Sequence, residues 1–175
     1  AYIEFAPDGV APAIDINDPR LIRMRTFSKG YGMAGARVGY AIGQRDLIRS
    51  FDKIRNHFGM NRAAQAGALA ALHDTNWLDV VRAQAASSRT SINTIARDNG
   101  LSTLPSATNF VAVDCQQDGA FAQRVLAALL EQGIFVRMPF VAPQNRCIRI
   151  STGTAKNMQL LAKALPLALQ QARQG

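Results

Sequence analysis

Apolar and basic residues alternate over Leu21 to Arg25, and a period of two predicts a short strand. Arg37 to Ile42 reads as a second strand ended by Gly43, so the pair brackets a loop from Thr26 to Gly35. Leu47, Ile48, Phe51 and Ile54 recur at helical spacing, predicting a helix over Asp46 to Arg55. Asn61 to His73 predicts an alanine-rich helix whose small side chains suit close packing. Thr75 is placed to cap a long helix reaching about Asp98, with Asn99-Gly100 as its stop. The pattern then changes to strand (Phe110 to Val113), helix (Ala120 to Gln132), strand (Ile134 to Val136), strand (Cys147 to Ser151) and a last helix from Thr154. Upstream, Ala1 to Phe5 reads as a strand end and Ala6 to Pro19, with its prolines, glycine and aspartates, as a surface loop. Trp77 and the phenylalanines read as core.

The change of pattern along the long helix predicts two domains, 1–88 and 89–175, the second a compact α/β layer of its own. With 175 residues, 48% hydrophobic, the chain suits one ordinary domain or the larger part of a two-domain protein. No apolar run is long enough for a bilayer and the first residues lack the features of a signal peptide, which points to the cytoplasm. Cys115 and Cys147 are far apart and each sits beside a predicted strand, so reduced, partly buried thiols are expected and no metal site. The net charge of +8 raises nucleic-acid binding, yet the basic residues are dispersed and no basic face interleaves with aromatics. The chain opens abruptly at Ala1-Tyr2-Ile3-Glu4-Phe5, which suggests a piece of a longer protein.

The chemistry concentrates in Thr26-Phe27-Ser28-Lys29-Gly30-Tyr31-Gly32-Met33-Ala34-Gly35-Ala36-Arg37. Gly30, Gly32 and Gly35 spell the dinucleotide fingerprint, but that motif needs a helix after its last glycine, and here a strand begins at once. A phosphate-binding P-loop is excluded because Lys29 precedes the glycines. Two readings remain. Lys29 is a solvated loop lysine, with Thr26 capping a turn and Arg37 pairing with a carboxylate; or Lys29 bonds an aldehyde while Thr26 and Arg37 hold a phosphate on the same small molecule. Pyridoxal phosphate offers both groups. His57 and His73 lack metal-ligand spacing, and Ser87-Ser88 lacks a hydrolase pattern.

Thr26-Phe27-Ser28-Lys29, with Arg37 in Ala36-Arg37-Val38-Gly39-Tyr40, resembles the cofactor-lysine segment of fold-type I, class I/II aminotransferases, closest to the histidinol-phosphate aminotransferase group. The resemblance extends over Ala1 to Phe5, the Gln65 to Leu72 helix, Thr108-Asn109-Phe110, Gly133 to Arg137 and Cys147 to Thr154. It implies an α/β fold comprising the C-terminal part of a large mixed-sheet cofactor domain and a small C-terminal α/β domain. It also implies pyridoxal 5'-phosphate as cofactor, Lys29 as Schiff-base lysine and proton carrier, and Tyr2 bonding the cofactor's phenolic oxygen. Thr26, Ser28 and Arg37 would hold the phosphate and Arg149 the substrate carboxylate, with Arg137 assisting at a substrate phosphate. Asn61 and Arg62 begin a helix that the family brings toward a partner subunit, although a helix cap explains Asn61 equally.

The implied reaction is transamination between an amino acid or amino phosphate and a 2-oxo acid by a cytoplasmic homodimer, with no nucleic acid or membrane as partner. A decarboxylase or lyase of the same fold, resembling threonine-phosphate decarboxylase, and a non-catalytic binding or dimerisation module are the alternatives. The ring-stacking residue and the aspartate for the pyridine nitrogen would precede Ala1, so the 175-residue piece alone is expected to be inactive.

Overall fold

The computed structural model describes residues 1–174. They pack as two compact units, Ala1–Arg82 and the part from Ala83 onward, divided inside the same long helix that carries the expected 88/89 boundary.

In the first unit, β1 (Ile22–Thr26) pairs antiparallel with β2 (Gly39–Gly43), placing Thr26 opposite Gly39 and Arg25 opposite Tyr40. Helix α1 (Arg45–Arg49) starts where the Gln44 side chain accepts from the Asp46 and Leu47 amides, and it tightens into a 3-10 turn over Ser50–Lys53. The single helix expected there is thus two short pieces. In α2 (Arg62–His73) Asn61 is the N-cap, its Oδ1 accepting from the Ala64 amide at 2.7 Å. Ala64 and Ala68 bury against Phe27 and Val38, so the alanines serve close packing as their size predicts.

Helix α3 (Thr75–Asp98) begins one residue differently from expectation. Asp74, not Thr75, caps it, its Oδ1 accepting from the Trp77 amide at 3.0 Å. Trp77 is no core residue either: the first turn of α3 leaves it 59% exposed, and Phe58, Phe135 and Phe140 are more exposed still. The C-terminus follows the sequence reading. Gly100, at φ +74, lets the Leu101 amide reach the Ala96 carbonyl and its own amide reach Arg97, a geometry an L side chain resists.

The second unit holds an antiparallel sheet in the order β3-β4-β5, from β3 (Ser102–Thr103), β4 (Phe110–Asp114) and β5 (Cys147–Ser151), with α4 (Gly119–Glu131) between the last two and α5 (Ala155–Gln174) after them. Val111 faces Ile150 and Val113 faces Ile148, and these inward residues meet Phe121, Val125, Leu129, Leu165 and Leu169 in one core. Ala112 and Arg149 pair on the opposite face. Cys115 follows the inward positions of β4 while Cys147 pairs with Asp114 on the other side, and both thiols are free and buried.

Two predicted strands are absent. Ala1 to Phe5 is instead a 3-10 turn, Ile3–Phe5, closed by the Phe5 amide on the Tyr2 carbonyl and the Ala6 amide on the Ile3 carbonyl, with Glu4 and Phe5 both buried. Ile134 to Val136 is spent on the end of α4, where the Ile134 amide bonds the Leu129 carbonyl, and only the single bridge Arg137 to Arg149 joins the sheet. No helix of the described residues is long and apolar enough to cross a membrane.

Candidate active site

The lysine loop is folded by its own backbone. The Phe27 amide bonds the Val38 carbonyl at 3.2 Å, the Met33 amide returns to the Phe27 carbonyl at 2.9 Å, and the Gly32 amide closes a turn on Lys29 at 3.0 Å. Phe27 anchors the loop from below, 2% exposed, with its ring 4.9 Å from Tyr31 and 5.7 Å from Tyr40.

On that frame Thr26 and Ser28 stand together. Thr26 Oγ1 accepts from the Ser28 amide at 3.1 Å and donates to Ser28 Oγ at 2.9 Å, which leaves the Ser28 hydroxyl a proton to donate. Lys29 is half-buried, and its Nζ lies 5.5 Å from the centroid of the Tyr2 ring. That is a cation–π placement for an ammonium and an aromatic, partly desolvated seat for the amine. Arg37 departs from the strand expected for it. It takes the left-handed region at φ 55, ahead of β2, and its Nη1 donates to the Ala34 carbonyl at 2.8 Å. The loop therefore joins Tyr2 with Lys29 and Thr26 with Ser28, while the exposed Arg37 is held by its own turn with Nε and Nη2 left over.

In the second unit Arg149 projects from β5 on the face opposite Ile148 and Ile150, its guanidinium carbon 4.8 Å from the centre of the Phe110 ring. Its Nε is buried with no hydrogen-bond partner, a donor awaiting an acceptor. Arg137 and Arg149 exchange backbone hydrogen bonds of 3.2 and 2.6 Å and line one cavity of 610 Å³ with Phe135, Met138 and Phe140. The Arg137 guanidinium carbon lies 5.9 Å from the Phe135 ring. His57 and His73 are exposed, and among the described residues no cluster of His, Cys, Asp and Glu could hold a metal ion.

Sequence reasoning missed two partners. Phe110, the platform under Arg149, enters the sequence reading as a strand residue at the end of Thr108-Asn109-Phe110, with no role toward Arg149. Glu4 is the other: its Oε1 accepts from Arg25 Nε at 3.2 Å and Nη2 at 2.7 Å, and both side chains are withdrawn from solvent. An acid between Ile3 and Phe5, opposite a run that alternates with arginine, is the signal that could have found it.

An amine over an aromatic ring, two hydroxyls in contact and a guanidinium on the same loop form a donor set for a small molecule with an electrophilic carbon and an anionic group. The defining pattern of the aminotransferase class I and II family matches residues 1–165, and the chain belongs to that family. It is 36% identical over 169 residues to a histidinol-phosphate aminotransferase of Gluconacetobacter diazotrophicus, covering 94% of this chain and 46% of that protein. To a second histidinol-phosphate aminotransferase, from Ralstonia nicotianae, it is 40% identical over 154 residues, covering 88% and 41%. Among solved structures it superposes with a TM-score of 0.94 and 53% identity on histidinol-phosphate aminotransferase from Sinorhizobium meliloti in complex with pyridoxal-5'-phosphate, covering 97% of this chain and 47% of that one. L-threonine-O-3-phosphate decarboxylase from Porphyromonas gingivalis, at 22% identity and a TM-score of 0.76, shares the fold. The architecture is that of the fold-type I pyridoxal-phosphate enzymes, and the chain spans about half the length of the relatives it matches.

Proposed function

We propose that the protein carrying this chain is a pyridoxal-phosphate-dependent aminotransferase that exchanges an amino group between an amino acid or amino phosphate and a 2-oxo acid. The observation that carries the reading is the half-buried Lys29 amine seated over Tyr2 on a loop with two coupled hydroxyls. Pyridoxal phosphate supplies an aldehyde for amines and a ring that delocalises charge from the substrate α-carbon.

Lys29 Nζ would be the amine that holds the cofactor through its aldehyde and the base that carries the proton of the substrate α-carbon. Ser28 would donate its hydroxyl proton to the phosphate, Thr26 would hold that hydroxyl in place by donating to Ser28 Oγ, and Arg37 would add the charge-assisted donors its turn leaves over. The Tyr2 hydroxyl would hold the phenolic oxygen of the cofactor ring. Arg149, aimed by Phe110, receives the substrate carboxylate in its fork, and Arg137 serves a phosphate at the far end of the substrate. Residues 1–88 are assigned to the cofactor domain with its connecting helix, and 89–175 to the small domain. A cytoplasmic homodimer belongs to the same proposal, its dimer contact supported by the exposed Ile54 and Phe58 between α1 and α2.

The test is borohydride reduction of the protein with pyridoxal phosphate, followed by peptide mapping and a panel of amine donors. A phosphopyridoxyl group on Lys29, absent in Lys29→Ala, together with 2-oxo acid formation is the expected result. Release of carbon dioxide or ammonia instead would make the protein a decarboxylase or lyase, and no labelling at Lys29 would leave a binding module.

A further inference from the structure

We propose that Glu4 is a positioning residue for Lys29 that acts through Tyr2, an inference whose catalytic meaning rests on the function proposed above. The Glu4 carboxylate is 3% exposed and holds both Nε and Nη2 of Arg25 on one oxygen. Arg25 is the β1 residue just before Thr26, where the lysine loop starts. On the other flank of Lys29, the Gly30 backbone packs onto Glu4: a Cβ there would stand 3.0 Å from Glu4 Cβ and 3.3 Å from its Cγ. Glu4 is therefore clamped by the residues on both sides of Lys29. It also sits in the 3-10 turn whose Phe5 amide bonds the Tyr2 carbonyl at 3.0 Å, so the clamp fixes the turn and the turn fixes the Tyr2 ring beside Lys29 Nζ.

Stability does not explain the pair. Burying two charges costs desolvation that their attraction offsets only with every lone pair satisfied, and Glu4 Oε2 is buried with no hydrogen-bond partner. An apolar pair of similar volume would hold the turn to the strand without that penalty. What the charged pair adds is direction: two guanidinium N–H groups converging on one carboxylate oxygen tie the turn to one place on the strand where an apolar contact allows sliding.

The experiment is carbon-13 NMR of the reductively methylated full-length protein without cofactor, in which this chain contributes Lys29, Lys53, Lys156 and Lys163 and Lys29→Arg assigns the signal. The Lys29 methyl resonance is expected upfield from the Tyr2 ring current, and Tyr2→Leu abolishes the displacement. Glu4→Ala is expected to lose most of it, while Glu4→Gln, which still accepts from Arg25, retains it. With cofactor and donor, Glu4→Ala lowers kcat by roughly 10- to 100-fold with KM within about twofold, as a misplacement near 1 Å at the reacting amine predicts. A folded Glu4→Ala whose Lys29 resonance keeps its full displacement overturns the proposal. Should Glu4→Ala not fold, Arg25→Lys carries the test: a reduced displacement supports the tie and an unchanged one overturns it. The NMR arm needs no cofactor, so a protein that fails to bind pyridoxal phosphate refutes the proposed function and leaves this result standing.

Discussion

Gly39 tests whether the close approach of β1 and β2 places the lysine loop. It sits opposite Thr26, and a Cβ on it would fall 2.6 Å from the Arg25 carbonyl oxygen and 3.5 Å from Thr26 Cα. Both neighbours are backbone, so no side chain can swing aside, and ordinary contact begins near 3.4 Å. Gly39→Ala therefore has to push the strands apart by something under 1 Å at the step that leads into Thr26 and Ser28. Overpacking of this kind costs about 1–3 kcal/mol of stability. A shift on the order of 1 Å at a reacting group costs up to about 100-fold in rate. Gly35→Ala is the internal control, since nothing lies within 4 Å of its Cβ position; it is expected within about 0.5 kcal/mol of the parent. Urea unfolding followed by circular dichroism reads the first effect, and the rate of borohydride-trapped pyridoxal phosphate on Lys29 reads the second. If Gly39→Ala and Gly35→Ala behave alike in both assays, the strand contact does not position the loop.

Three further outcomes follow from other parts of the molecule. Arg149→Lys keeps the charge but loses the fork over Phe110, so KM for a carboxylate-bearing donor should rise about 10-fold or more, equivalent to ~1.5–3 kcal/mol for hydrogen bonds to a charged group, and an unchanged KM would remove Arg149 from the substrate site. The Arg146 guanidinium, at 2.9 and 2.7 Å, and the Gln116 amide hold the Asp114 carboxyl below its ordinary range; the stability this adds is present above the unfolded pKa of about 3.9 and lost as pH falls through the lower folded value. Urea titrations at pH 7 and pH 3 should thus find parent and Asp114→Asn further apart at pH 7. Burial pushes the Cys115 thiol up to about 11 and raises Cys147 as well, so at pH 8 Ellman's reagent should react with both slowly until urea unfolds the chain.

The long elements were legible because each carries its own signal. Asn61 caps α2 through its side-chain oxygen, Gly100 ends α3, and Val111, Val113, Ile148 and Ile150 alternate as a half-buried antiparallel pair must. What failed was short and dependent on neighbours. Three apolar residues at Ile134 to Val136 look alike in a strand or a helix exit, and the hydrogen bond to Leu129 decides between them. Trp77 is read inward by its hydrophobicity, yet the exposure of the first turn of α3 depends on what packs there. Arg37 heads an apolar run but takes a left-handed conformation that nothing in its side chain announces.

By itself the sequence determined the chemistry available: one lysine among hydroxyls and glycines, an arginine after them, and another arginine in an apolar strand. It could do so because residue type and spacing fix which donors one loop or one strand face can offer. Only the tertiary structure decided how those groups are held, since Glu4 and Arg25, Tyr2 and Lys29, and Phe110 and Arg149 are separated in sequence and their contacts exist only once strands pair and turns close. Local pattern is blind to such pairs because their free energy comes from desolvation and geometry between segments, which no window along the chain contains.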